Sequence, residues 1–321
     1  MFLFLFNGYN YIMYIYMIEK KEKKGDVTVY YVKKDYENSK LLKILNKKLK
    51  RTDIHTIIKD DADVYNEEGK LLLRFRKNKL NKDTVKDFYD NVIKFAKQQT
   101  TTRGTSSGSK KKIVGQNPKV MSNIIGYFDK LSPRQKWLFN QQGKPIPKVT
   151  VRETAFLQEH PEQFKKAIPL IKEIDKYYEQ YVPENYGKQK KKANQTPYHI
   201  ADTAFTTVTT NVNYQTAVHT DKGDDAEGFG NLTVIETGKY KGGETCFPQY
   251  GIGVDLRTYD VIYMDVHQPH GNLPIILESP DATRLSIVCY LRKSIWDQTK
   301  GKTKKYMIQH NRTMKNIKKK A

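Results

Sequence analysis

The sequence contains little cysteine and comparatively few acidic residues. Its 321 residues include two cysteines, Cys246 and Cys289, which excludes a disulfide framework and is typical of a reducing compartment. There are 35 acidic residues against 57 lysines and arginines, and the net charge is +22. This imbalance favours a polyanionic partner such as nucleic acid, although a solvated lysine-rich surface would give the same count.

The sequence also lacks an uninterrupted apolar run of the roughly twenty residues that a membrane-spanning helix needs. Residues 1–17 are apolar and aromatic, but Asn7, Gly8 and Asn10 interrupt them. The basic start and small-residue cleavage site of a signal peptide are also missing. We interpret 1–17 as an apolar leader produced by a mis-assigned start, and we expect no secretion and no stable membrane association.

Residues 18–99 have the pattern of a small α+β module. A strand is predicted at Val27–Val32, a basic helix at 41–49, a hairpin at 64–75, and a helix that Asn81 caps. The module is either independent or an elaboration packed on the domain that follows. Residues 100–118 are rich in threonine, glycine, serine and lysine, which predicts a basic linker or a mobile basic loop.

Residues 119–296 are long enough for one domain. Helices are expected to begin at Pro133, Pro161 and Pro169, and 187–192 is predicted to be a basic loop, either a solvated turn or a contact to a nucleic-acid backbone. Short strands follow at 205–212, 232–235, 245–247, 252–256, 261–264 and 285–291. Many short strands separated by turns favour a mainly β, α+β architecture, a double-stranded β-helix (jelly roll) with covering helices. Residues 297–321 are predicted to be a basic tail, in which 301–321 is a disordered arm with sequence-independent phosphate affinity.

A possible metal site is spread over the second half of the chain. His219 and Asp221 form a His-x-Asp pair, His270 follows in a His-Gly-Asn turn, and Arg284 and Ser286 open an apolar run. Two imidazoles and one carboxylate make a facial triad that binds Fe(II) and leaves positions open. Arginine is the side chain that grips a remote carboxylate bidentately, as a metal-chelating 2-oxo acid would require. A surface turn at His219 and Asp221 is the alternative.

Four segments carrying these residues, 204–211 (AFTTVTTN), 219–224 (HTDKGD), 268–272 (QPHGN) and 283–286 (TRLS), resemble the TET/JBP family of dioxygenases. The resemblance covers about residues 120 to 296 and implies a jelly-roll fold. It also implies hydroxylation of the 5-methyl group of thymine or 5-methylcytosine in DNA. Fe(II), 2-oxoglutarate and molecular oxygen would be required, with DNA as partner and an intracellular location, nuclear or wherever that DNA resides.

The same resemblance assigns roles to individual residues. It implies that His219, Asp221 and His270 bind the metal and that Arg284 and Ser286 bind 2-oxoglutarate. Asp224 is expected to contact the target base, with an acidic turn as the alternative. Asn211 shares strand parity with His219 and is a candidate for the metal-proximal carboxylate of 2-oxoglutarate or for the base, with a buried strand asparagine satisfied by backbone as the alternative. His267 is a further candidate, as a group behind the ligands or facing substrate.

Two other functions stay open at this stage. The segment 242–248 (GGETCFP) resembles part of the prolyl 4-hydroxylases, which share the fold and cofactors and modify protein. Those enzymes hold 2-oxoglutarate with a lysine ten residues after the distal histidine, where this sequence has Pro280. Arg284 therefore favours the DNA-modifying relatives. A non-catalytic DNA-binding module with a degenerate site is the other alternative.

Overall fold

The structure is a computed structural model that describes residues 18–35, 42–109, 111, 113–131 and 133–310. The apolar leader and the first residue of the predicted 41–49 helix lie outside these ranges. Within them, only 42–44 of that segment is helical, so the longer basic helix was a wrong prediction. No helix among the described residues is long and apolar enough to cross a membrane.

Two β-sheets face each other and build the framework of the molecule. The larger sheet has ten strands in the order β1-β2-β4-β5-β13-β9-β16-β8-β6-β7, and the smaller has four in the order β14-β11-β12-β3. Strands β10 and β15 form a separate antiparallel ribbon. This confirms the predicted jelly roll. The strands are β1 (Ile18–Lys24), β2 (Val27–Val32), β3 (Thr56–Ile58), β4 (Ala62–Tyr65), β5 (Leu71–Arg76), β6 (Ser122–Phe128), β7 (Arg152–Glu153), β8 (Thr207–Val212), β9 (Gly230–Thr237), β10 (Tyr240–Gly242), β11 (Thr245–Phe247), β12 (Ile252–Val254), β13 (Val261–Met264), β14 (Gly271–Asn272), β15 (Ile275–Leu277) and β16 (Thr283–Tyr290).

Helices cover the outer face of the larger sheet. In the longest of them, buried Phe164, Ile171, Ile174 and Tyr178 recur at helical spacing and join the core behind the sheet. The helix at residues 82–96 packs on this longest helix. Its amino-terminal cap is Asn81, as predicted, because the Asn81 side chain accepts the backbone N–H of Asp83. The helices are α1 (Lys82–Ala96), α2 (Pro133–Gln141), α3 (Ala155–Glu159), α4 (Pro161–Tyr181), α5 (Pro183–Ala193) and α6 (Lys293–Thr299).

The amino-terminal strands extend the larger sheet. Strand β5 pairs with β13 over Leu73 to Arg76, and β3 pairs in parallel with β12 in the smaller sheet. Val64 and Phe75 are fully buried in the same core as Phe247 of the smaller sheet. Of the two alternatives for this segment, the pairing supports an elaboration of the β-helix, because its strands share both sheets and the core between them.

Three local predictions were wrong. Pro169 lies inside α4, where it is tolerated because it sits on the exposed face and the missing N–H leaves a carbonyl open to water. Residues 187–192 are not a loop but part of α5. The segment 301–310 is folded, since Met307 is buried against Tyr198 and Ile295; residues 311–321 of the predicted tail lie outside the described part.

Candidate active site

The fold brings the three predicted metal ligands together at one end of the sheets. His219 and His270 are adjacent because each backbone N–H donates to the other residue's carbonyl, at 2.9 Å in both directions. Nε2 of His219 lies 3.6 Å from Oδ1 of Asp221, and Nε2 of His270 lies 3.5 Å from Oδ2. One ligand atom from each residue falls within 4.8 Å of the others, which is the cluster a single divalent ion requires.

Backbone carbonyls fix the orientation of both imidazoles. Nδ1 of His219 lies 2.8 Å from the carbonyl of Ala217, and Nδ1 of His270 lies 2.9 Å from that of Gln268. A carbonyl can only accept, so each Nδ1 carries a proton and each Nε2 is directed towards Asp221. Such support behind a ligand is what metal-binding histidines need. These residues therefore fit a facially bound metal.

The charges within the cluster suit a cation. Burial acts to raise the pKa of Asp221, but the hydrogen bond and charge of His270 outweigh it and lower that pKa to about 2. Burial, together with the charge of His270, lowers the pKa of His219. Burial acts to lower the pKa of His270, but the hydrogen bond and charge of Asp221 outweigh it and raise that pKa. The site therefore presents an ionised carboxylate and a neutral His219 at neutral pH, and a bound cation would compete with the proton on His270.

Arg284 reaches the same cavity from strand β16. Alternate residues of this strand point to opposite faces of the sheet. Leu285 and Ile287 pack in the core under the helices, whereas Arg284 and Ser286 line the cavity. The Arg284 side chain is buried and its Nε has no hydrogen-bond partner among the described residues. A buried cation with a free donor is the fit expected for a carboxylate ligand.

The approach of Arg284 depends on Gly243 in the segment that resembles the prolyl hydroxylases. Gly243 has φ of +80°, and a Cβ there would lie 2.8 Å from Nε of Arg284. Burial lowers the pKa of Arg284, and the side chains of Tyr240 and Glu236 act against this effect. Glu236 already binds Arg257 at 3.1 Å and accepts the backbone N–H of Thr258 at 2.6 Å. Gly243 thus has a structural explanation in this chain, which is room for the buried guanidinium.

Ser286 and Asn211 lie side by side beneath the cavity. They face each other across β16 and β8, and Ser122 stands opposite Asn211 on β6. The amide of Asn211 donates to the Ser286 hydroxyl at 3.2 Å and accepts from the Ser122 hydroxyl at 2.6 Å. The row holds the Ser286 oxygen in place, so its own proton remains available to a ligand.

Asp224 and Arg292 form the opposite end of the cavity. Their backbones meet in an isolated bridge, yet no ion pair joins their side chains. Nε of Arg292 donates to Asp129 at 2.6 Å and its guanidinium lies 4.8 Å from the Phe128 ring centroid. The Asp224 side chain makes no hydrogen bond to the described residues, and burial followed by the charge of Asp221 raises its pKa. Both groups are thus available to a ligand.

His267 differs from the residues predicted with it. It does not line the cavity, and its Nε2 lies 3.0 Å from the carbonyl of Asp225. The substrate-facing alternative for His267 therefore has no support, because the hydrogen bond holds the ring against the 221–228 loop. The structure places His270, and not His267, beside His219 and Asp221.

Several lining residues were missed in the sequence. Arg103 comes from the predicted linker, and its buried Nε has no partner among the described residues. Its neighbour Ser106 accepts the backbone N–H of Ala217 at 2.7 Å, two residues before His219. Residues 100–118 have the composition of a linker, which does not indicate that Arg103 lines a site. Tyr290 and Arg292 could have been predicted, because they share strand parity with Arg284. The cavity is lined by Arg103, Ser106, Ser122, Thr209, Asn211, Tyr214, Thr216, His219, Asp221, Asp224, Leu232, Thr245, Met264, His270, Gly271, Asn272, Arg284, Ser286, Val288, Tyr290 and Arg292.

Comparisons with known proteins agree with this geometry. Residues 135–293 match the Tet_JBP family, described as the oxygenase domain of the 2OGFeDO superfamily. Similar relatives include the bifunctional helicase and thymine dioxygenase JBP2 of Leishmania braziliensis, 34% identical over 175 residues, or 54% of this chain and 15% of that protein. Another is the thymine dioxygenase JBP1 of Trypanosoma brucei brucei, 31% identical over 179 residues, or 55% of this chain and 20% of that protein.

A solved structure shares the fold. NgTET1, in complex with 5mC DNA, has a TM-score of 0.50 and 15% identity, covering 87% of this chain and all of that chain. Fold and site together are those of an oxygenase domain of the class that uses Fe(II) and 2-oxoglutarate. Within that class, residues 135–293 form an oxygenase domain of the TET/JBP family. It spans only 15–20% of the length of the curated relatives named above.

Proposed function

We propose that this chain is an Fe(II)- and 2-oxoglutarate-dependent dioxygenase that hydroxylates the 5-methyl group of thymine or 5-methylcytosine in DNA. One observation carries the proposal: His219, Asp221 and His270 converge in the cavity whose wall contains the buried, unpaired Nε of Arg284. A metal site alone would suit many reactions. The guanidinium of Arg284 selects a cosubstrate that has a carboxylate at the end remote from the metal.

Different residues of the cavity would bind the metal and the cosubstrate. His219, Asp221 and His270 would hold Fe(II), Arg284 would bind the remote carboxylate of 2-oxoglutarate, and Ser286, held by Asn211, would donate to the same carboxylate. When bound, Fe(II) with 2-oxoglutarate and oxygen supplies the oxidising power that replaces a methyl hydrogen by hydroxyl, with succinate and carbon dioxide as coproducts. No side chain needs to act as a general acid or base.

The end at Asp224 and Arg292 would receive the base. A target inside a duplex must first be flipped out, at a cost of a few kcal/mol. Arg292 has N–H donors that no described residue uses, and Asp224 offers a carboxyl group beside them. A pyrimidine presents donors and acceptors side by side on its pairing edge, so this pair is complementary to it.

The names of the relatives support DNA as substrate. The matched proteins are thymine dioxygenases, and the NgTET1 structure contains 5mC DNA. The net charge of +22 is consistent with a polyanionic partner. On this proposal the protein acts inside the cell, in the nucleus or wherever its DNA resides.

Mass spectrometry of nucleosides tests the proposal directly. The full chain is incubated with Fe(II), 2-oxoglutarate, oxygen and DNA containing thymine, with or without 5-methylcytosine. We expect a hydroxymethylated pyrimidine together with succinate, and neither product from Asp221→Ala. Succinate without any modified nucleoside, combined with a hydroxylated peptide in parallel reactions, would replace DNA by protein as the substrate.

A further inference from the structure

A group of exposed lysines lies beside the substrate end of the cavity. Residues 293–310 contain five lysines and one acid, Asp297. Among the described residues, no ion pair is made by Lys191 at the end of α5 or by the four exposed lysines of this segment. We call these five the basic face: Lys191, Lys293, Lys300, Lys304 and Lys305.

The basic face is distinct from the lysines that have structural partners. On α5, Lys188 pairs with Glu184 at 2.9 Å and Lys190 with Asp202 at 3.2 Å. Lys192 binds Asp225 at 2.6 Å and Glu227 at 2.8 Å. These three side chains are occupied in holding the fold. Lys191 is exposed and forms no ion pair with the described residues.

Tertiary contacts join the two parts of the basic face into one surface. The ring of Trp296 lies 4.2 Å from Nζ of Lys300 and 5.6 Å from Nζ of Lys192. The Trp296 indole N–H donates to the side chain of Gln195 at 2.8 Å, and the backbone N–H of Gly301 donates to the Gln195 carbonyl at 3.1 Å. The end of α5 and the segment after α6 are therefore neighbours.

Buried residues anchor the last lysines to this surface. Met307 is 3% exposed and packs with Tyr198 and Ile295. Burial lowers the pKa of His199, and the charges of Lys190 and Lys304 lower it further. Lys304 therefore lies close to this histidine. Lys304 and Lys305 therefore stand on folded backbone beside α5.

The surface is continuous with the cavity. Arg292 lines the cavity, and Lys293 follows it directly, with its backbone N–H donating to the carbonyl of Gly223 at 3.0 Å. Gly223 precedes Asp224, the other group at that end. A nucleotide whose base entered between Asp224 and Arg292 would have its neighbouring phosphates beside the basic face.

We propose that the basic face binds the duplex backbone next to the flipped nucleotide. The inference rests on the proposed function, because it takes DNA as the partner. Lysines suit this task, since phosphate contacts position a protein on DNA without reading its sequence. Each contact that neutralises a phosphate contributes about 0.9 to the slope of log affinity against log salt.

The test compares two triple variants of the full chain. Lys191→Ala, Lys304→Ala and Lys305→Ala remove three charges from the basic face. Lys82→Ala, Lys94→Ala and Lys97→Ala remove three exposed, unpaired lysines at or next to α1, behind the larger sheet. Net charge changes equally in both. Binding of a fluorescent duplex is measured by anisotropy at several salt concentrations, and thermal unfolding checks that both variants fold.

We expect the basic-face variant to lower the salt slope by about 2 to 3 and the α1 variant to leave it within error of the original chain. Equal changes in both variants, or no change in the first, would overturn the inference. If the basic-face variant lost more affinity for single-stranded RNA than for duplex DNA, the inference would also be overturned. Succinate release without DNA should be the same in all three proteins. The nucleoside assay on the unaltered chain reports separately on the proposed function.

Discussion

The two ends of strand β16 use the same residue type in different ways. Arg284 is 4% exposed with an unpaired Nε, whereas the Arg292 side chain is 17% exposed and is held by Asp129. Burying an unpaired guanidinium is costly, so it is tolerated where a small anion can enter and pair with it. A braced, partly exposed guanidinium suits a large ligand arriving from solvent. The comparison indicates a closed end at Arg284, where we propose that the cosubstrate binds, and an open end at Arg292, where we propose that the substrate enters.

The largest expected effect is on metal binding, at the three ligands that lie between the Arg284 end and the Arg292 end of the cavity. Asp221→Ala or His270→Ala removes one of three ligands, and we expect at least a 100-fold loss of Fe(II) affinity with no succinate formed. Titration with Fe(II) or Co(II) under anaerobic conditions measures this. His267→Ala is the matched control, because its ring bonds the Asp225 carbonyl outside the cavity. Loss of metal binding in that control alone would reverse the assignment of the third ligand.

A smaller effect is expected at the closed end. Arg284→Gln removes a charged, bidentate partner, which costs roughly 2 to 3 kcal/mol and should raise the KM for 2-oxoglutarate by about 30- to 150-fold. Metal affinity should stay unchanged, since the arginine is not a ligand. Arg51→Gln serves as control because that arginine is exposed, lies outside the cavity lining and donates to the carbonyl of Ile54. An unaltered KM in Arg284→Gln would remove the cosubstrate from this end.

The smallest effect in the series is expected at the open end. Arg292→Gln keeps a donor but loses the charge, and about 1 to 2 kcal/mol of base recognition should disappear, or roughly 5- to 30-fold in kcat/KM for DNA. Succinate release without DNA should continue at its original rate. If that uncoupled reaction fell together with DNA oxidation, Arg292 would act on the closed end, and the division between the ends would be lost.

Much of the site was predictable because it is encoded locally. The spacing His219-x-Asp221 puts a histidine and a carboxylate near each other in any extended or turn backbone, and strand parity aligns Arg284 with Ser286. The fold was predictable from short strands between turns, as at Thr245–Phe247 and Val261–Met264, where prediction and structure coincide. Both signals depend on near neighbours in the chain.

Other features were hidden because they depend on distant contacts. Residues 187–192 look like a solvated basic loop, yet Tyr186 and Gln189 are buried and hold that stretch in a helix. Arg103 lies in a stretch with the composition of a linker, and hydrogen bonds of Ser106 with Ala217 and Tyr214 hold that stretch at the cavity. Propensity and composition carry no information about such partners.

The sequence by itself determined the ligand types, the sheet-forming periodicity and the excess of positive charge. Only the tertiary structure decided that the amino-terminal strands complete both sheets and which lysines stand beside the cavity. It also decided that His270, and not His267, faces Asp221. The physical reason is that residue chemistry and period are properties of the chain, whereas burial and pairing arise when segments far apart in sequence compete for the same neighbours.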